Sequence, residues 1–389
     1  MNKNECYEIL LNYRCNLNCL FCSQGSYDKT KELSFKEIAR EIYKAKKQGY
    51  VKLGLSGGEP TIREDIIEII KLAKKVGFKF IRIQTNGIRL ADFKFAKKLK
   101  EAGLTYCKFS LTSTEKLIHE ILTNNPNSYY KTIKAINNMK KLKLRIGNNI
   151  LITKLNYSKL DKIILKLLDM GVSNFVIIYP LYTGNMLKNF KKLGVPIYKC
   201  SSYFQKTLRI MEKHNLSDEI LFLNVPPCFL EDKYHTNVIG LAEFNTIVTS
   251  PDKKRLNLDQ NANLNKIKGN ICKKCIYYDK CPGIDRDYIK IYGWKGFKPI
   301  VKDRRKEIKE KIYLSDDEKC LIEILKQKEK MTVDDIIKNS KNIPLCKNCD
   351  DANNIINAAT KLSVKKIIKI EFKNGKYFFS LSKKILNKD

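Results

Sequence analysis

No uninterrupted apolar run in this 389-residue chain approaches the about 18–20 residues that a bilayer-spanning helix needs, so no membrane span is expected. The opening Met1–Glu5 carries no apolar core of the signal-peptide kind, and the expected location is the cytoplasm. Histidine is scarce. His119, His214 and His235 are the only three, and they fall in no ligand spacing. No histidine, carboxylate and nucleophile constellation is visible, and there is no P-loop, internal repeat or low-complexity segment beyond general lysine richness. Acidic residues number 41 against 75 basic ones, a formal net charge of +34. Such an excess permits a polyanionic partner such as RNA. The lysines run through every segment, however, and lysine, asparagine and isoleucine are jointly abundant, as an AT-rich genome dictates. A solvated basic surface accounts for the charge equally well. At 43% hydrophobic and 30% charged the composition is globular, with length for two or three domains.

Cysteine, by contrast, is plentiful. Thirteen cysteines without a secretion signal point to metal binding in a reducing compartment and not to a disulfide scaffold. Cys15, Cys19 and Cys22 stand in the spacing Cys-x3-Cys-x2-Cys. Soft thiolates on one short loop suit a [4Fe–4S] cube, and three ligands leave one of its irons open for chemistry. Half of a structural zinc site is the alternative. Gly57-Gly58-Glu59-Pro60 follows the apolar run Val51–Leu55. Its glycines let backbone approach a ligand closely, whereas Glu59 taken alone reads equally as a solvent-facing turn acid.

These motifs together resemble the radical S-adenosylmethionine (SAM) enzymes. Phe21 matches the aromatic residue usual before the third cysteine, and Gly57–Pro60 matches the "GGEP" turn that holds the SAM methionine amino group. The resemblance implies that Cys15, Cys19 and Cys22 hold a SAM-binding [4Fe–4S] cluster.

Residues 1–200 alternate strand-like and helix-like segments. The expected strands are Cys6–Tyr13, Val51–Leu55, Phe78–Gln84, Tyr106–Leu111, Ile146–Ile152 and Phe175–Tyr179, short and rich in Ile, Val, Phe and Tyr. The expected helices are Phe35–Lys47, Glu64–Val76, Leu90–Ala102, Tyr129–Leu142 and Leu160–Met170, several with capping residues ahead and glycine behind. Six βα units predict an α/β fold, a parallel sheet with right-handed crossovers. The partial (β/α)6 barrel is the form the resemblance implies. Working residues in such barrels sit at the carboxyl ends of strands. By resemblance, Asn86 after strand three and Ser110 at the end of strand four are positions contacting SAM; Asn86-Gly87 also reads as a plain tight turn. Of Asn148 and Asn149, alternation lets only one face the cavity. Tyr179 and Tyr182 either line that cavity or pack.

A connector with a helix at Tyr203–His214 precedes a second cysteine region, Cys228 and then Cys272, Cys275 and Cys281 in Cys-x2-Cys-x5-Cys-Pro-Gly. Phe244–Thr249 and Lys254–Leu258 read as a hairpin. Four cysteines can ligate a second [4Fe–4S] cluster, or a zinc ion. The pattern resembles the SPASM and Twitch extensions of radical SAM enzymes, and the one-cluster Twitch version fits four cysteines. From Pro299 on, a charged stretch at Asp303–Lys311, helices at Asp316–Lys328, Val333–Asn339 and Ala352–Leu362, and strands at Val364–Phe372 and Lys376–Leu381 around Asn374-Gly375 make a winged-helix pattern. The expected domains are thus 1–225, 226–298 and 299–389. Cys346 and Cys349, with Cys320, read as packed or surface thiols, and Cys6, Cys107 and Cys200 as packed ones.

The function this resemblance implies is reductive cleavage of SAM to a 5′-deoxyadenosyl radical that takes hydrogen from a substrate. A peptide or protein is the first expectation for that substrate, and RNA or a cofactor precursor the alternatives. A one-electron reductant such as ferredoxin or flavodoxin is the implied partner. A zinc-bearing winged-helix regulator is the contrasting class, and it leaves the GGEP turn unexplained.

Overall fold

The computed structural model describes residues 6–241, 246–252, 254–257, 265–302, 316–328, 330–340, 352–364, 367–373 and 376–382. It divides into two compact units, Met1–Arg305 and Lys306–Asp389.

The first unit begins with β1 (Cys6–Leu10) and then alternates α1 (Phe35–Lys47), β2 (Lys52–Ser56), α2 (Ile66–Lys75), β3 (Phe80–Thr85), α3 (Phe93–Ala102) and β4 (Tyr106–Phe109). Two helices, α4 (Lys116–Thr123) and α5 (Ser128–Lys141), lead to β5 (Arg145–Leu151), α6 (Leu160–Asp169) and β6 (Asn174–Ile178). After α7 (Gly184–Lys188), α8 (Phe190–Leu193) and α9 (Ile197–Lys213) come β7 (Ile220–Leu223), β8 (Ile247–Thr249) and β9 (Arg255–Asn257).

Local chemistry sets the helices. Ser34 and Glu37 form a reciprocal capping box at the start of α1, and Ile38, Ile42 and Ala45 recur on its buried face. Asp92 accepts a hydrogen bond from Lys94 N–H and divides the expected helix at Leu90: a short 3₁₀ turn, Arg89–Ala91, precedes it and α3 follows. Gly103 ends α3 at φ +122°, a conformation that glycine adopts without strain.

The sheet has nine strands in the order β7-β6-β5-β4-β3-β2-β1-β8-β9, parallel except for the β8–β9 hairpin. It curls into the half-barrel of the expected fold class. Six parallel strands were expected and the structure adds one at each end. Ile220–Leu223, read in the sequence as connector, pairs with β6, and β8 pairs with β1. Helix α4 was also missed.

Alternation sorts the two faces of the sheet. Tyr7, Ile9, Leu53, Leu55, Ile81, Ile83, Cys107, Phe109, Phe175 and Ile177 are buried in the apolar core. The concave face is polar and is tied together by side chains that reach across an intervening strand, a span of roughly 10 Å. Glu8 on β1 bonds Arg82 and Gln84 on β3 and Ser56 on β2. Gly54 gives this bridge room, since a Cβ there would lie 3.0 Å from Arg82 Nη2 and 3.2 Å from Glu8 Oε2. Gln84 accepts a 2.9 Å bond from Asn149 on β5. Tyr106 on β4 donates to Asn174 on β6 at 2.7 Å, passing over Gly147, where a Cβ would run into the Tyr106 hydroxyl.

The second unit holds helices Asp316–Leu325, Val333–Ser340 and Ala352–Val364 and a three-stranded antiparallel sheet. Strand Lys376–Leu381 is central, between Met331–Thr332, which the sequence reading missed, and Ile368–Lys373. Ile324, Ile336, Ala359, Leu362 and Phe379 form its core. Asp303–Lys311, Cys346, Cys349 and the turn at Asn374-Gly375 lie outside the described residues. Among the described residues no helix is long and apolar enough to cross a membrane.

Candidate active site

The motifs meet at the carboxyl ends of the strands. The chain leaves β1 through Asn12–Arg14, and the Gly57–Pro60 turn leaving β2 is bonded onto this segment. Gly58 N–H donates to Asn12 O at 2.8 Å and Glu59 N–H to Arg14 O at 2.9 Å. Both glycines are forced by this approach. Gly57 sits at φ +132°, and a Cβ at Gly57 or Gly58 would collide with Asn12 O or Arg14 O respectively. The GGEP turn is thereby fixed against the residue preceding Cys15.

Glu59 is not the solvent-facing acid that the sequence left open; it is 1% exposed. Its Oε1 accepts from Thr61 N–H at 3.0 Å and from the Thr61 and Thr85 hydroxyls, and its Oε2 accepts from Asn86 N–H at 2.7 Å. Burial raises its pKa, and these donors oppose the rise. The carboxylate thus ties the β2 turn to the end of β3. Asn86, placed by that bond, directs its amide to Asn16 Oδ1 at 2.7 Å and toward Cys15 Sγ at 3.8 Å. Asn86 therefore does more than make the turn.

Cys15, Cys19 and Cys22 are each half-buried. Burial pushes the Cys15 thiol up to about 11, while Leu17 N–H, 3.4 Å from its sulfur, acts the other way. Cys19 is raised by burial and then by Cys15 and Cys22. Burial that opposes ionisation at Cys15 and Cys19 makes this a site whose thiolates need a cation to compensate them. Phe21 packs against the core.

Three residues that sequence reasoning missed hold the loop from the far side. Asn185 N–H donates to Cys22 O at 2.9 Å, its amide donates to Cys19 O at 3.0 Å, and Asn189 donates to Leu20 O at 3.1 Å. Gly184, at φ +55°, lets α7 close on Ser23 O and Cys22 O. Their only sequence signal was a Gly-Asn pair after a strand.

Ser110 lies at the end of β4, half-buried, on the same alternating face as Lys108. Asn149 takes the concave face, whereas Asn148 is fully buried and bonds both Leu111 N–H and Leu111 O. Tyr179 and Tyr182 are fully buried among Tyr288 and Tyr292, so they pack.

The second cysteine group is also brought together. Cys228, Cys272, Cys275 and Cys281 line one cavity with Trp294 and Phe297. Burial lifts Cys228 to about 12, and the other three thiols add to the rise. Gly283 N–H lies 3.4 Å from Cys281 Sγ. His119 and His235 are buried, the latter 3.2 Å from the Tyr277 hydroxyl.

Residues 9–167, spanning both motifs and the strands that carry them, match the Radical SAM superfamily model. A probable GTP 3′,8-cyclase of Sulfurisphaera tokodaii is 32% identical over 214 residues, 54% of this chain and 67% of that protein. The chain belongs to the radical SAM superfamily. It is an enzyme. Within the superfamily it is also 43% identical over 96 residues to a 7,8-dihydro-6-hydroxymethylpterin dimethyltransferase of Methanocaldococcus jannaschii, 24% of this chain and 19% of that protein. SuiB of Streptococcus suis, solved with S-adenosylmethionine, superposes with a TM-score of 0.54 at 16% identity, covering 76% of each chain. SuiB has also been solved with its precursor peptide SuiA, a structure that superposes at 0.50 with 16% identity over 81% of this chain and 68% of that one. At that identity the likeness is one of fold.

Membership in the superfamily implies a [4Fe–4S] cluster and SAM. The donor set fits them: three soft sulfurs stand on one loop, and the glycine turn is bonded to the segment that leads into it.

Proposed function

We propose that this radical SAM enzyme holds its cluster through Cys15, Cys19 and Cys22 and removes hydrogen from a substrate seated at the carboxyl-end mouth of the half-barrel. The observation that carries the reading is the Glu59 network, which fastens the GGEP turn, Asn86 and the cysteine loop into one unit. A reduced cluster held by Cys15, Cys19 and Cys22 would supply the single electron for reductive cleavage of SAM, the chemistry that furnishes a radical able to take hydrogen from a substrate. The protein's share is positional. The GGEP turn that Gly57 and Gly58 make possible lies beside the methionine moiety, Asn86 and Ser110 face the SAM site, and Phe21 closes its apolar side. Ferredoxin or flavodoxin is the class of reductant that supplies single electrons. A cytoplasmic setting suits the ten free cysteines among the described residues.

The auxiliary reading is a second [4Fe–4S] cluster on Cys228, Cys272, Cys275 and Cys281 in a Twitch-like segment. Its support is that the four thiols line one cavity. The second unit, three helices with an antiparallel sheet, is read as a winged helix that contributes to substrate recognition. Iron and sulfide quantitation after anaerobic reconstitution tests the cluster pair. About eight irons per chain are expected, falling to about four in Cys275→Ala. Zinc in place of the second four irons contradicts the auxiliary reading.

For the substrate, the curated relatives are named for GTP and a pterin, and with the polar concave face they favour a small polar heterocycle. A peptide or protein is the second reading, because SuiB is solved with a precursor peptide. Turnover assays with a nucleotide panel and a peptide panel separate the two.

A further inference from the structure

Among the described residues, one basic side chain on the concave face has no hydrogen-bonded or ion-paired partner. Lys108 lies on β4 between Cys107 and Phe109, which point into the apolar core, so its own side chain takes the other face. It is 6% exposed. Among the described residues its ammonium makes no hydrogen bond and no ion pair. The neighbouring strand supplies a second open donor. Arg82 gives a terminal nitrogen to Glu8, yet its Nε is buried without a partner. Glu8 makes no bond to Lys108; its oxygens accept from Ser56, Arg82 and Gln84. The remaining nearby charges, Arg145 and Glu219, are paired with each other at 2.8 Å. The face therefore holds two cations against one committed carboxylate.

Burying an unpaired cation is costly, and an unfilled donor beside it adds to the cost. Both costs vanish when an anion enters. The same face carries Ser110 and Asn149 at the carboxyl ends, so a ligand lying along it reaches from the reaction mouth toward Lys108.

We propose that Lys108 and Arg82 form an anion subsite on the concave face of the half-barrel that receives a carboxylate or phosphate group of the substrate. The proposal rests on reading the carboxyl-end mouth as the reaction centre. A carboxylate belongs to an acidic peptide side chain or a small acid, and a phosphate to a nucleotide. Either accepts from Lys108 Nζ and Arg82 Nε together.

The test titrates the reconstituted, SAM-loaded protein with inorganic phosphate and with glutarate, reading heat of binding and thermal midpoint. At least one anion binds the wild type. Phosphate alone assigns a phosphorylated substrate, and glutarate alone a carboxylate. Lys108→Met weakens that binding about tenfold or more, Lys108→Arg restores most of it, and Lys47→Met, on an exposed position of α1, leaves it unchanged. Binding of neither anion, equal binding by Lys108→Met, or equal loss in Lys47→Met overturns the proposal. A 5′-deoxyadenosine assay on the same wild-type samples keeps the two readings apart. Its failure with intact anion binding contradicts the SAM chemistry and not the subsite, and the reverse result contradicts the subsite alone.

Discussion

Both carboxylate oxygens of Glu59 are taken up inside the protein, so the acid of the GGEP turn acts as a brace for its neighbours. Sequence alone left it open between site and surface, because a four-residue turn does not reveal what packs over it. The glycines were expected to admit a ligand, whereas the close approach the structure shows is to the chain's own backbone at Asn12–Arg14. Gly58→Ala puts a methyl against Arg14 O, so we expect loss of cluster retention with the distant helices intact, read as iron content against far-UV circular dichroism. Retention of full iron by that variant contradicts the placement. Lys108 offers a pH signature. Burial is the main cause that lowers it to about 7, with Arg82 and Arg145 adding to the fall and Glu8 and Glu219 opposing it. An unfolded lysine titrates near ~10.4, so between these values the unfolded chain binds the extra proton. The Lys108 contribution to stability is therefore present above about pH 10 and lost as pH falls through 7. Urea unfolding at pH 7 and pH 9 is expected to show wild type gaining stability relative to Lys108→Met as pH rises. Parallel slopes for the two proteins contradict a buried, depressed lysine.

Elements were legible where pattern is long and regular. All six expected barrel strands form, because apolar residues on their helix-facing side alternate with residues that the concave face accepts. What escaped is short or ambiguous. Ile220–Leu223 is a four-residue strand without alternation to mark it, and although the β8–β9 hairpin was legible as such, its joining to the sheet through β1, over 230 residues away in sequence (Tyr7 with Ile247), was not. Similarly, the clamp of Asn185 and Asn189 on the cysteine loop is a tertiary contact between α7 and a loop far upstream. The concave bridges also depend on missing side chains. Gly147→Val meets the Tyr106 hydroxyl and breaks its bond to Asn174, with an expected loss of about 1–3 kcal/mol in chemical denaturation. Tyr106→Phe combined with Gly147→Ala should recover part of that loss; a neutral Gly147→Val contradicts the bridge.

At the scale of the molecule, sequence spacing identified the cysteine groups, and folding gathers them where spacing could not. Cys228 stands more than 40 residues before Cys272, yet all four auxiliary cysteines share one cavity within the first compact unit. The substrate was not legible, since it is set by the shape and charge of a face assembled from six strands and not by any contiguous motif. The division of labour predicts separable defects. Cys275→Ala should keep reductive SAM cleavage measurable while substrate turnover falls, and equal loss of both would make the auxiliary segment purely structural. The central claim is SAM cleavage at the Cys15–Cys22 loop. The measurement that tests it most directly is 5′-deoxyadenosine formed from SAM by the anaerobically reconstituted, dithionite-reduced enzyme, compared with Cys19→Ala. The account predicts product from the wild type and none from the variant, because two cysteines cannot hold a cube with one open iron. Product from Cys19→Ala, or none from an iron-replete wild type, would contradict it.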